Sequence, residues 1–195
     1  MKEGKESIGS ILLGKWNTKT IVVMGIGAAL FGVLMNFGGI PVFSNTRLTT
    51  AMLVPVIVGS MFGPIPAFLT CAIGNTIADL IGGWGFWFDW SIGNGVLGFF
   101  IGLLPLYGAR ISDGIFTIKQ AIIYAIICIL GNAFAFGLVT PLLTLAFYGG
   151  ELNITFMQSL FGGISNVLVL TVIGIPLLFL LARRNARGTN LTKEA

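Results

Sequence analysis

Histidine is absent, and charge is scarce: 11 Lys+Arg and 7 Asp+Glu in 195 residues, 9% of the chain. A soluble domain carries about 25% charged residues, so an ordinary soluble enzyme is excluded. Without histidine there is no neutral-pH proton shuttle, no Ser-His-Asp set and no HExxH zinc site. Cysteine is nearly absent too. Cys71 and Cys128 stand in separate apolar stretches with no CxxC spacing, and read as small buried hydrophobes rather than a disulfide or metal site. A nucleotide site also fails: Gly9–Lys15 imitates a P-loop, but Trp16 stands where the Mg²⁺-ligating Ser or Thr belongs, and no strand precedes it. The lysines lie towards the chain ends and in a short loop, so a Ser-Lys pair in mid-membrane is excluded as well. No cofactor is called for.

What the chain has instead is apolar length. It is 55% hydrophobic, with a mean hydropathy of +0.96. Eleven of the charges fall in residues 1–19 and 183–195, leaving seven across 20–182. A helix needs roughly 20 apolar residues to cross about 30 Å of hydrocarbon. The apolar blocks are continuous runs without the period-two alternation of a transmembrane barrel. They predict an all-α membrane protein, a bundle of six transmembrane helices near 20–36, 47–62, 65–82, 90–108, 119–147 and 154–182. The last two are long enough to tilt or to kink at Pro141 and Pro176. Residues 1–19 read as a cytoplasmic lead-in without a signal-peptide h-region, 20–182 as the membrane domain, and 183–195 as a basic cytoplasmic tail.

Orientation follows from counting cations. Six crossings put both termini and the 2–3 and 4–5 connections on one side, with Lys2, Lys5, Lys15, Lys19, Arg110, Lys119, Arg183, Arg184, Arg187 and Lys193; the other side keeps Arg47. Cytoplasmic loops carry the Lys/Arg excess, so both termini are expected in the cytoplasm and the loops at 37–46, 83–89 and 148–153 outside. The net charge of +4 therefore reports topology rather than nucleic-acid binding.

Intramembrane polar groups are costly, at about 2.5–3.5 kcal/mol per charge on insertion scales, and mark function by default. Here they collect at the outward end: Asn36, Asn45, Arg47, Asn75, Asp79, Asp89, Asn94, Thr140, Tyr148, Glu151, Asn153 and Gln158. Trp84, Trp87 and Trp90 add three indoles within seven residues. Such a set suits a cavity for a ring- or amide-bearing ligand, although tryptophans also form interfacial belts and Asp79 and Asp89 could be helix-end charges or partners of Arg47. Asn132 and Asn166 lie nearer mid-span, as interhelical hydrogen bonds or pocket groups. The 28 glycines allow close helix approach. Gly93, Gly95, Gly98 and Gly102 read as internal packing; Gly25, Ala28, Ala29 and Gly32 read equally as packing or as a face for a second membrane subunit.

The order of these features resembles a known family. Thr18-Lys19-Thr20 leads into the small-residue patch Gly25–Gly32, and Pro55–Pro66 (PVIVGSMFGPIP) follows. Next come Gly74-Asn75-Thr76-Ile77-Ala78-Asp79, the Trp/Gly-rich Gly82–Trp90, and Gly93–Gly102. Over residues 16–183 this is similar to the substrate-binding S components of energy-coupling factor (ECF) vitamin transporters, riboflavin type. The resemblance implies a bacterial plasma-membrane protein that binds one vitamin in an outward pocket under the loops 37–46, 83–89 and 148–153. It implies partners: a membrane coupling subunit, docked through an AxxxA-like face that here reads Gly25-xxx-Ala29 and Ala28-xxx-Gly32, and two ABC-type ATPases. It implies substrate-binding roles for Asn36, Asn45, Arg47, Asn75, Asp79, Trp84, Trp87, Asp89, Trp90, Asn94, Tyr148 and Asn166, and a non-catalytic subunit. Riboflavin or cobalamin fits the amide- and indole-rich set, whereas the lack of a basic cluster disfavours folate. The alternative is a stand-alone channel or facilitator.

Overall fold

The computed structural model describes residues 7–14, 16–44, 46–149 and 151–193, and the backbone alone for Leu152 and for 188–193. Asn45 lies outside the described residues, as do Lys2, Lys5 and Lys15.

The architecture is mostly helical. A short helix α1 (Ile8–Leu13), capped by the Ser7 side chain, precedes α2 (Thr18–Phe37), whose first turn is capped by Asn17 Oδ1 accepting from Thr20 N. A two-stranded antiparallel hairpin follows, β1 (Gly39–Phe43) and β2 (Thr46–Thr49), with Gly39 opposite Thr49 and Phe43 opposite Thr46. A 3-10 turn (Thr50–Met52) then opens α3 (Leu53–Phe62). Gly63, at φ 98°, makes the turn into α4 (Pro64–Gly82), with Pro64 in its first turn, where a missing N–H costs nothing. Helix α5 (Phe88–Ile101) runs on through a 3-10 turn at Leu104–Tyr107, and a second 3-10 turn (Ile111–Asp113) precedes α6 (Ile118–Phe134). The start of α6 is a capping box in which Thr117 and Gln120 satisfy each other's backbone N–H groups.

The two expected kinks are π turns. Ala135–Val139 joins α6 to α7 (Thr140–Tyr148), and Leu170–Gly174 joins α8 (Leu152–Val169) to α9 (Ile175–Lys193). Each precedes a proline, Pro141 or Pro176, whose ring clashes with the carbonyl four residues back; a widened turn relieves that clash while the helix continues.

Five helical segments are long and apolar enough to cross a membrane: Thr18–Phe37, Pro64–Gly82, Phe88–Tyr107, Ile118–Tyr148 and Asn153–Arg187. The segment expected at 47–62 is shorter as a helix. Thr46–Thr49 is strand, and the helical part Thr50–Phe62 has 13 residues, a rise of about 20 Å. The reason lies in the threonines. Thr49 Oγ1 donates to Leu34 O and Thr50 Oγ1 to Gly38 O, so these side chains satisfy the carbonyls at the end of α2 and hold the chain extended. At the other end, α9 continues through the basic tail to Lys193 instead of stopping near 182.

Small residues set the helix spacing. A Cβ on Gly32 would lie 2.6 Å from Ile77 Cγ2, one on Gly74 2.7 Å from Phe31 Cβ, and one on Gly98 2.7 Å from the Ala67 carbonyl. These contacts bring α2, α4 and α5 together at backbone range, the association that works where burial of apolar surface gives no driving force. Gly93, Gly95, Gly98 and Gly102 are all buried against neighbours, as the packing reading expects. Around them the core is Phe31, Met52, Val56, Leu97, Ile101, Leu104, Tyr124, Phe136, Leu170 and Leu178.

Candidate functional site

Polar side chains gather at the end of the bundle that carries the hairpin. Helix α4 presents Asn75 and Asp79 one turn apart, and α5 presents Ser91 and Asn94 against them. Asn75 Nδ2 donates to Ser91 Oγ (3.2 Å) and faces Asp79 Oδ2 at 3.4 Å, while Asn75 Oδ1 accepts from Asn94 Nδ2 (3.0 Å). Asp79 Oδ2 also accepts from the backbone N–H of Trp87 (3.1 Å), which ties the 83–87 loop to α4. All four side chains are buried.

The next layer joins α5 to α7. Asp89 is fully buried, with Oδ2 against the Thr144 hydroxyl, and Thr144 Oγ1 also faces Thr140 O at 2.9 Å. Thr140 and Thr144 are one turn apart, as are Gly93 and Asp89. A Cβ on Gly93 would overlap the Thr140 hydroxyl, so the two helices meet there with nothing between them. Among the described residues neither Asp79 nor Asp89 has an ion-pair partner; Arg110–Asp113, at 3.5 Å, is an exposed pair in the loop at the opposite end. Arg47 is committed elsewhere: its Nη1 donates to Asn36 O (2.7 Å). Asn36 in turn donates to Gly32 O and Ala78 O, so Asn36 and Arg47 bridge α2, α4 and β2.

Aromatic rings close this end. The Trp87 ring lies 4.6 Å from Tyr148, and its Nε1 donates to Trp84 O. Tyr148 OH donates to Phe86 O and accepts from Phe88 N. Trp84 and Trp87 remain more than a third exposed. Trp90 turns inward, 5.7 Å from Phe136 and beside Gly162 of α8. The hairpin is strapped to α8 by the Phe43–Phe161 stack (4.9 Å, 9° between planes) and by Gln158 Nε2 donating to Ser44 O.

Between the α6–α7 wall and α8 lies a cleft of about 530 Å³, lined by Asn132, Phe136, Phe156, Ser159, Ile164 and Leu168 among others. Asn166 is buried on the same helix, α8. Two residues of this cleft carry a buried polar atom without a hydrogen-bond partner among the described residues, Asn132 Oδ1 and Ser159 Oγ, and the α5–α7 layer carries three more, Asp89 Oδ1, Asn94 Oδ1 and Thr140 Oγ1. Buried polar atoms are nearly always satisfied, and each exception calls for an explanation.

The sequence-derived site residues thus separate into groups. Asn75, Asp79 and Asn94 form one network; Asp89 stands beside it with Thr144; Trp84, Trp87 and Tyr148 form a cap; Trp90 reaches the cleft wall through Phe136. Asn36 and Arg47 hold the hairpin base. Ser91, Thr144 and Ser159 were not singled out by sequence reasoning. The matched four-residue spacings, Asp89/Gly93 and Thr140/Thr144, were a readable signal for Thr144; a lone serine at 159 gave none. The four residues of the presumed docking face do not share an exposed surface. Gly25 and Ala29 are exposed, with nothing within 4 Å of a Cβ at Gly25, but Ala28 and Gly32 are buried against α4.

Apolar helices of crossing length around a buried polar end define a polytopic membrane protein. The profile of the ECF-type riboflavin transporter S component matches residues 15–183, and the chain belongs to that family. The family is one of vitamin-binding transport subunits, and it implies a module with a coupling subunit and ATPases. The chain is 38% identical over 180 residues to a UPF0397 protein of Aliivibrio fischeri, covering 91% of this chain and 97% of that protein. It is 34% identical over 184 residues to one from Clostridium perfringens, covering 92% and 97%. The crystal structure of FolT bound with folic acid shares the fold, with a TM-score of 0.59 over 86% of this chain and 96% of that one, at 18% identity.

Proposed function

We propose that this chain captures a water-soluble vitamin, riboflavin or cobalamin, from the outer side of the bacterial plasma membrane and delivers it to the cytoplasm. In this reading Thr50–Phe62 completes six crossings, both termini are cytoplasmic, residues 20–182 form the binding domain, and 183–195 form a basic cytoplasmic tail after the 1–19 lead-in. The observation that carries the proposal is the buried network of α4, α5 and α7, in which Asp89 Oδ1, Asn94 Oδ1 and Thr140 Oγ1 have no partner among the described residues, together with an apolar cleft lined by Asn132 and Ser159, whose side-chain oxygens also have none. A site that keeps polar atoms unsatisfied in this way is built for a ligand that satisfies them. Asn75, Asp79, Asp89, Trp90, Asn94 and Asn166 supply the walls. Trp84, Trp87, Tyr148 and the hairpin with Arg47 and Asn36 supply the cover. Asn45, outside the described residues, is proposed for the same cover.

Transport then needs a moving part, and the P-loop-like stretch Gly9–Lys15 lacks the Ser or Thr that a nucleotide site requires. The loaded subunit docks on a coupling subunit through the exposed face of α2 at Gly25 and Ala29, and two ATPases drive its reorientation. The folate of the FolT structure is a weaker fit, because Arg47 is the single cation among the described residues at this end, against the two carboxylates of folate.

Two measurements test this reading. Mass spectrometry of small molecules retained by the detergent-purified protein should find a vitamin. Uptake into proteoliposomes should require the coupling subunit and the ATPases; flux through this chain alone would make it a facilitator instead.

A further inference from the structure

Helix α9 changes its surroundings along one face. Leu180, 63% exposed, ends the lipid-facing apolar side chains of this crossing segment. Arg183, Arg184 and Arg187 follow it at +3, +4 and +7, the spacing that keeps residues on one helical face. The opposite face is packed. Leu178 and Ala182 are buried, and Asn185 Nδ2 donates to Ile111 O (2.9 Å). Ala186 lies against the same loop, where a Cβ on Gly114 would be 2.6 Å from the Ala186 Cβ. The packed side thus fixes which way the arginines face. All three are exposed, and among the described residues none has an ion-pair partner; Asp113, in the loop packed against this helix, pairs with Arg110 instead. Depth follows from helix rise. Arg183 and Arg184 lie about 5 Å beyond Leu180 along the axis, and Arg187 about 10 Å, against a headgroup layer about 5–8 Å deep.

We infer that Arg183, Arg184 and Arg187 form a site for the headgroup of an anionic phospholipid. The face is continuous from apolar to cationic, so a molecule whose acyl chain lies along Leu180 has its phosphate at the depth of the arginines. Guanidinium groups match phosphate oxygens bidentately, and anionic headgroups attract basic segments placed just outside the hydrocarbon. A free anion would use the arginines without Leu180, and a protein surface in the aqueous phase would not reach that residue. The site does not depend on vitamin capture; only its assignment to the inner leaflet rests on the cytoplasmic termini of the transport reading.

The test titrates the full chain, purified in detergent, with short-chain phosphatidylglycerol or phosphatidylcholine and reads the bound lipid by native mass spectrometry. Phosphatidylglycerol should bind about 100-fold more tightly than the zwitterionic lipid, and Arg183→Gln, Arg184→Gln and Arg187→Gln should each weaken it about fivefold. The triple glutamine variant should lose the preference with its melting temperature unchanged, since the three side chains are exposed. The triple lysine variant, which retains the charge, should keep it. Equal binding of the two lipids overturns the site, and so does an unchanged preference in the glutamine variants. Displacement of phosphatidylglycerol by equimolar inorganic phosphate makes this a free-anion site and overturns the lipid assignment. If the triple glutamine variant does not fold, the single substitutions and the lysine variant decide. None of these outcomes bears on vitamin capture, which the mass spectrometry of retained small molecules decides.

Discussion

Gly93 and Thr140 show how one missing methyl group governs the site. With no Cβ on Gly93, α5 and α7 approach until the Thr140 hydroxyl touches the Gly93 backbone region, and the same approach brings Asp89 against Thr144. Gly93→Ala should therefore lower the melting temperature in detergent, at a cost of about 1–3 kcal/mol for overpacking. Combining it with Thr140→Gly should recover most of the loss, since the two residues are in contact and their effects couple. An additive double variant would show that the contact is not the cause. Asp89 follows a different rule. Its carboxyl is buried without a cation, so the Thr144 hydroxyl matters more than an equivalent surface bond, and Thr144→Ala leaves one more acceptor oxygen unsatisfied.

Among the elements, the hairpin and the 83–87 loop are held by few but specific contacts. The loop's C-terminal end hangs on Asp79, which accepts from Trp87 N, and on the Tyr148 hydroxyl, which donates to Phe86 O and accepts from Phe88 N. Tyr148→Phe keeps the ring against Trp87 but removes both hydroxyl bonds. Hydrogen exchange should accelerate in residues 84–88 by about thirtyfold, on the basis of roughly 1 kcal/mol for each of the two bonds, with no change in α4 or α6. Equal acceleration everywhere would mean that the loop opens only with the whole fold. The positions of the long helices were legible in the sequence, because continuous apolar runs leave little choice in lipid. The hairpin was not. The run 47–62 is apolar enough on average to read as a span, and the threonine hydroxyls pairing with Leu34 O and Gly38 O hold its first residues out of the helix. The prolines at 141 and 176 were visible as irregularities, but the π geometry that absorbs them depends on packing partners. The polar network was legible as residue types at one end; its pairing, and the use of Asn36 and Arg47 as braces, required the helix phases.

At the scale of the whole molecule, the small-residue patch of α2 proves to be two surfaces. Ala28, at 2% exposure, faces α4, whereas Gly25 faces outward alongside Ile21, Ile26 and Leu30. Gly25→Trp should abolish energised uptake while ligand affinity stays within twofold. Ala28→Trp should instead lower stability and binding together. If Gly25→Trp supports normal uptake, coupling does not use this face. A further consequence resides in the wide turn at Ala135–Val139. A π turn holds one residue more than an α turn, and one residue amounts to about 100° of rotation around a helix axis. Were that supernumerary residue deleted, the stretch beyond it would swing its hydroxyls at 140 and 144 out toward the acyl chains, leaving Asp89 facing hydrocarbon. The irregularity thus acts as an angular offset that keeps the two halves of one long helix addressed to different neighbours.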